Sequence, residues 1–145
     1  MNGFNFIAEN AREYQGQRWE ESSNDLDYIF ERDGRVYGCE IKNRFGYMQR
    51  TEIALKMRIC RHLGVTPLFI VRMAPRSYVE EVRTAGPGFT LIFQTHIYAE
   101  GHRDLVENIK KEFKGLPVDS PKDLPGSIIN RFLKWHQRQL APNRE

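Results

Sequence analysis

The chain has 145 residues, 40% of them hydrophobic and 28% charged, with a formal net charge of +3 and a pI near 8.9. That length suits one domain with a proper core, and no apolar run approaches the roughly 20 residues that span a bilayer, so no membrane partner is expected. The mildly basic balance is compatible with a polyanionic partner without establishing one.

Met1 to Glu20 has no basic stretch followed by an apolar one, so no secretory signal is expected. In Phe4 to Tyr14, Ile7, Ala11 and Tyr14 recur at helical spacing, which predicts a short helix. Its start is abrupt, leaving room for a further N-terminal helix in a longer form. A short strand is expected at Gln17 to Trp19.

The clearest local pattern follows. Leu26 to Arg32 reads as a strand, Asp33-Gly34 as a two-residue turn, and Arg35 to Lys42 as the return strand. Tyr47 to Leu63 reads as a helix with Leu55, Ile59 and Leu63 on one face, broadened by Ile53 and Met57 and closed by Gly64. The apolar run Pro67 to Val71 fits a strand buried on both faces. Pro75 and Ser77 introduce a helix to about Ala85, and Phe89 to Thr95 is a further strand. His102 to Lys114 forms a basic amphipathic helix. After a proline-rich stretch from Gly115 to Gly126, a last helix runs from about Ser127 to Leu140, with Ile128, Phe132 and Trp135 on one face. Cys39 falls in a strand and Cys60 in a helix. Two such cysteines make no disulfide framework and are read as small core residues. A reducing, cytoplasmic setting is the default expectation. Alternating elements of this kind predict an α/β fold with a mixed sheet and helices on its faces.

The hairpin register carries the chemistry. If Arg32 pairs with Arg35, then counting outward Asp27 faces Glu40 and Asp25 faces Lys42. Facing residues share one side of the sheet, with Cβ atoms about 4.5–5.5 Å apart, and Glu40 and Lys42 share that side by the two-residue period. Two adjacent carboxylates repel and raise each other's pKa. A hard divalent cation removes the conflict, because Mg²⁺ prefers oxygen ligands and keeps several waters. The Ile41 carbonyl, between Glu40 and Lys42, is a candidate extra ligand. A metal-bound water is acidified and attacks phosphorus, and Lys42 would orient or deprotonate it, or steady developing negative charge.

These residues, Asn24-Asp25-Leu26-Asp27-Tyr28-Ile29-Phe30 and Tyr37-Gly38-Cys39-Glu40-Ile41-Lys42, resemble the PD-(D/E)XK nuclease superfamily. Asp27 looks like its first carboxylate and Glu40-Ile41-Lys42 like its (D/E)XK element. The 13-residue spacing between Asp27 and Glu40 is similar to that of archaeal Holliday-junction resolvases. Leu26 stands where some members have proline. The resemblance covers roughly Phe4 to Thr95. It implies a restriction-endonuclease-like αβββαβ core over residues 1–100, and residues 101–145 are then a C-terminal helical extension of the same domain. It also implies a Mg²⁺-dependent phosphodiesterase acting on DNA, with Mn²⁺ as a substitute metal. Many members add a glutamate on the first helix, for which Glu9 is the candidate and Glu13 the alternative.

Arg44 and Arg50 lie nearest the proposed site and are candidate phosphate contacts. For Lys56, Arg58 and Arg61 a solvated helix face is at least as good a reading. Arg131, Lys134 and Arg138 lie beside Trp135, a combination that can hold nucleic acid, although Trp135 fits the core better. The four histidines lack metal-ligand spacing. A homodimer, membership of a larger enzyme, and a nucleic-acid-binding or assembly module that keeps the nuclease fold without cutting all stay open.

Overall fold

The computed structural model describes residues 3–44, 46–94, 98, 101–115 and 124–140. Its centre is a five-stranded mixed sheet built from β1 (Asn5–Ala11), β4 (Leu26–Arg32), β5 (Arg35–Lys42), β6 (Thr66–Val71) and β7 (Phe89–Ile92), in that spatial order. Strands β2 (Glu13–Tyr14) and β3 (Gln17–Arg18) form a separate small ribbon. β1, β4 and β5 run as an antiparallel meander; β6 and β7 are each parallel to the strand before them. The parallel connections are made by α1 (Arg50–Leu63) and α2 (Arg76–Ala85), while α3 (Arg103–Glu112) and α4 (Gly126–Leu140) complete the described helices. The α/β class with a mixed sheet therefore holds.

The β4–β5 turn forms as its sequence requires. Asp33 and Gly34 have φ of 51° and 77°, the left-handed values that a two-residue hairpin needs. Arg32 faces Arg35, and the register runs without slip to Tyr28 opposite Cys39.

One expected element is of a different kind. The segment expected as a helix at Phe4 to Tyr14 is strand β1 followed by β2. The helical spacing of Ile7, Ala11 and Tyr14 is outweighed by the open edge of β4, whose main-chain groups need a partner. Phe4 and Phe6 carry the competing two-residue period, Phe6 packing against Tyr28 and Phe30 across the strands, and an irregularity between Phe6 and Ala8 then brings Ala8 to the Ile29 side. The leading helix of an αβββαβ core is thus absent from residues 4–14. Glu9 and Glu13 sit on strands, and neither is a helix-borne glutamate. Other elements are shorter than expected: β3 stops at Arg18 rather than Trp19. The helix after β5 begins at Arg50 rather than Tyr47, β7 stops at Ile92, and α3 stops at Glu112. Thr95 and most of the proline-rich stretch lie outside the described residues.

The sheet separates two apolar layers. On one side α1 and α2 cover Leu26, Ile29, Phe69 and Val71, using Ile59, Cys60, Leu63, Met57 and Val82. Gly38 lets β5 approach α1 closely: a Cβ there would lie 2.7 Å from Leu26 Cδ1 and 2.8 Å from Cys60 Sγ. On the other side α4 lays Ile128 and Phe132 over Tyr37, Cys39, Leu68 and Leu91. Trp135 packs on Phe89 with ring centroids 5.0 Å apart, so it belongs to this layer, as expected. Both cysteines are free and buried. Burial pushes the Cys60 thiol up to about 12 and raises that of Cys39 further.

His136 pins α4 to the hairpin. The Tyr37 hydroxyl shares a hydrogen bond with its Nδ1, and its Nε2 lies 2.9 Å from Asp33 Oδ2. Burial pushes the Tyr37 hydroxyl up to about 12.

Candidate active site

The sequence-nominated residues gather where β4 and β5 part. The ladder between these strands ends at Tyr28 and Cys39. Beyond it, Asp27 Oδ2 accepts a hydrogen bond from the Ile41 N–H at 2.6 Å, taking the place of a strand carbonyl. A strand residue points its N–H and C=O to the same side. The Lys42 carbonyl accepts from Arg72 N–H, toward β6, so the Ile41 carbonyl points the other way, toward Asp27. Asp27, Ile41, Tyr28, Glu9 and Asn10 line an open cleft of about 280 Å³ at this seam. Glu9 reaches it from β1, where it pairs with Tyr28.

Glu40 occupies a different setting. It stands in register with Phe69, on the α1 side of the sheet, and is only 1% exposed. Lys42 Nζ lies 2.5 Å from its Oε1, and Lys56 Nζ lies 2.7 Å from its Oε2. Neither oxygen has a well-directed hydrogen bond among the described residues; charge, rather than angle, holds them. Lys42 also meets Glu52 Oε1 at 3.1 Å, and Glu52 Oε2 meets Arg44 at 3.4 Å. The result is a chain of alternating charge: Lys56, Glu40, Lys42, Glu52, Arg44. Desolvation works to lower the Lys42 pKa, but the close carboxylates of Glu40 and Glu52 outweigh it and raise it. Lys42 is a held cation, which weighs against the general-base role expected for it.

The structure thus places Asp27, Ile41 and Glu9 around one cleft, and Glu40 and Lys42 in the adjoining ion chain. Asp25 lies near Lys56, with Oδ1 at 3.9 Å from Nζ, rather than pairing with Lys42 as expected. Arg44 and Arg50 are exposed, Arg50 resting on Glu81 at 3.1 Å.

Three contributors escaped the sequence reading. Glu52, on the first turn of α1, anchors Lys42. Lys56, read as part of a solvated face, is buried and also donates to the Asp25 carbonyl. Its place between Ile53 and Cys60 on the inward stripe was a readable cue. Arg72 is buried at the end of β6 and donates to the carbonyls of Arg44 at 3.0 Å and Gln94 at 3.4 Å. It ties the loop after β5 to the end of β7. An arginine closing the apolar run Pro67 to Val71 was the available signal.

A divalent ion fits the donor chemistry of the seam to a defined extent. Among the described residues no three histidine, cysteine, aspartate or glutamate side chains converge on one ion. Mg²⁺ needs only one or two carboxylates when water and phosphate supply the rest. Asp27 and the Ile41 carbonyl flank the cleft, and Glu40 would join them by releasing a lysine. The chain matches no family model, and no curated protein or solved structure matches it.

Proposed function

We propose that the chain is a metal-dependent nuclease that hydrolyses DNA phosphodiester bonds at the β4–β5 seam. Support comes above all from Asp27, whose carboxylate meets the Ile41 main chain where the strands part, with Glu40 and Lys42 on either side of that residue. The order of elements adds to it: an antiparallel meander, a crossover helix and a parallel strand, the arrangement implied by the PD-(D/E)XK resemblance apart from its leading helix.

In this reading Asp27, Glu40 and the Ile41 carbonyl hold Mg²⁺ or Mn²⁺. When bound, the ion supplies an acidified water and offsets charge on the phosphoryl oxygens. The chain's own residues do the rest. Lys42 keeps its proton on Nζ and stabilises negative charge growing on the phosphate. Its raised pKa means that this contribution is complete below the ordinary lysine value of about 10.4 and is lost only as pH rises through the higher folded value. Arg44 and Arg50 meet flanking phosphates by leaving surface pairs of little worth. Arg72 positions the Arg44 loop without touching DNA.

The test is a cleavage assay over linear and branched DNAs with Mg²⁺ and with Mn²⁺. Asp27→Asn and Lys42→Met each lower the rate, Lys42→Met by roughly 10²–10³-fold, the loss typical of a removed transition-state donor. Circular dichroism checks that both fold. A second reading, a nucleic-acid-binding or assembly module that does not cut, is favoured by the burial of Glu40 between two ammonium groups. Metal-independent DNA binding with no cleavage of any substrate would select it.

A further inference from the structure

Strand β7 ends the sheet: β6 pairs with one side, and no described strand pairs with the other. The Phe93 N–H donates to the Val71 carbonyl at 3.1 Å. Main-chain groups alternate along a strand, so the N–H and C=O of Thr90 and Ile92 face outward. This edge lies in a groove of about 370 Å³ between α2 and α4. One wall carries Arg131, Lys134 and Arg138, and no carboxylate among the described residues lines the groove. Among the described residues none of the three forms an ion pair with an acid; Arg138 Nε donates only to the Lys134 carbonyl. The Thr90 Oγ1 is buried and has no hydrogen-bond partner among them.

We infer that the outward edge of β7 takes up an extended acidic segment of a partner protein as an added strand. An open edge offers a ladder of donors and acceptors that another strand completes. Alternate side chains of the guest point to the two faces of the sheet. Those on one face meet Val79 of α2; those on the other, the α4 face, come within reach of the cationic wall. The three arginine and lysine groups select acids, because a neutral guest would desolvate them without compensation. A nucleic-acid strand uses fewer of these features. It has no call on the Thr90 and Ile92 ladder, and the Trp135 ring is already packed on Phe89, Phe132 and Tyr37. The inference is independent of nuclease activity.

The probe is a short fluorescein-labelled peptide of alternating valine and glutamate, titrated onto the full chain by anisotropy in the absence of metal. Thr90→Pro removes an outward N–H and leaves the ladder to β6 intact, as proline is tolerated at an edge. Binding is expected to weaken by about tenfold, the equivalent of one main-chain hydrogen bond left unmade. Thr90→Val, which keeps the amide, retains binding. The pair Arg131→Glu with Arg138→Glu abolishes it, as does high salt. An N-methylated peptide, lacking its own donors, fails to bind wild-type protein and keeps the test independent of variant folding. Absence of peptide binding, or binding indifferent to Thr90→Pro and to N-methylation, overturns the inference. So does tighter binding of an oligothymidylate that Thr90→Pro leaves unchanged, or concentration-dependent self-association that Thr90→Pro abolishes.

Discussion

Replacing Lys56 with methionine removes one of the two cations that hold Glu40 and keeps most of the buried stem. Lys56 is 6% exposed and Glu40 is 1% exposed, so the carboxylate has no route to bulk water in this state. Taking one partner from a buried ion pair destabilises by about 3–5 kcal/mol. Lys42 stays 2.5 Å from the other oxygen, which puts Lys56→Met at the low end, about 3 kcal/mol. A chain of 145 residues unfolds with an entropy of about 0.3 kcal/mol/K, at about 2.1 cal/mol/K per residue, so Tm falls by about 10 °C. Urea unfolding followed by circular dichroism should show the midpoint move with the m-value unchanged. Adding Glu40→Gln to Lys56→Met removes the uncompensated charge, and the double variant is more stable than Lys56→Met alone, a coupling that a mutant cycle isolates. A Lys56→Met protein within about 0.5 kcal/mol of wild type, the range of an ordinary surface change, would refute the account of Glu40 as a charge held by this lysine.

Gly38→Ala forces a methyl group to within 2.7 Å of Leu26 Cδ1 and 2.8 Å of Cys60 Sγ, and calorimetry should find it destabilised by about 1–3 kcal/mol, as overpacking is. The Cys39 and Cys60 thiols, buried and with raised pKa values, should resist a thiol reagent at pH 8 in native protein and react fully in denaturant. The His136 hydrogen bond chiefly lowers the Asp33 pKa. Its stabilising effect is therefore complete above the unfolded value of about 3.9 and disappears as pH falls through the lower folded value. Melting curves between pH 5 and pH 2 should show the advantage of wild type over Asp33→Asn shrinking across that window; a constant gap would show that the contact does not titrate.

The hairpin was legible because its information is local. Asp33-Gly34 dictates the turn, the turn dictates the register, and the register carries Tyr28 to Cys39 as counted from the sequence. Where the ladder stops is not local. It depends on Asp27 capturing the Ile41 amide, and facing positions alone did not foretell that Asp27 and Glu40 would stand in different surroundings. β1 was misread because its helical spacing is a property of the segment, whereas its pairing is imposed by β4. Lys56 and His136 share one cause. Each lies on the inward stripe of a helix, four residues from a buried apolar neighbour, and a polar residue there is readable only if one asks what it will bond. Glu40, on β5, answers for the lysine; Tyr37 and Asp33, at the hairpin, answer for the histidine.

The tie between His136 and the hairpin spans 103 residues of sequence. During synthesis the strands and the first two helices leave the ribosome well before α4, the last described element to emerge. Until it arrives, Tyr37, Leu68 and Leu91 lack the Ile128 and Phe132 side chains that cover them on their side of the sheet. The nascent chain therefore passes through a stage with one finished layer and one wet, sticky one, and α4 acts as the closing latch that ends its exposure to aggregation.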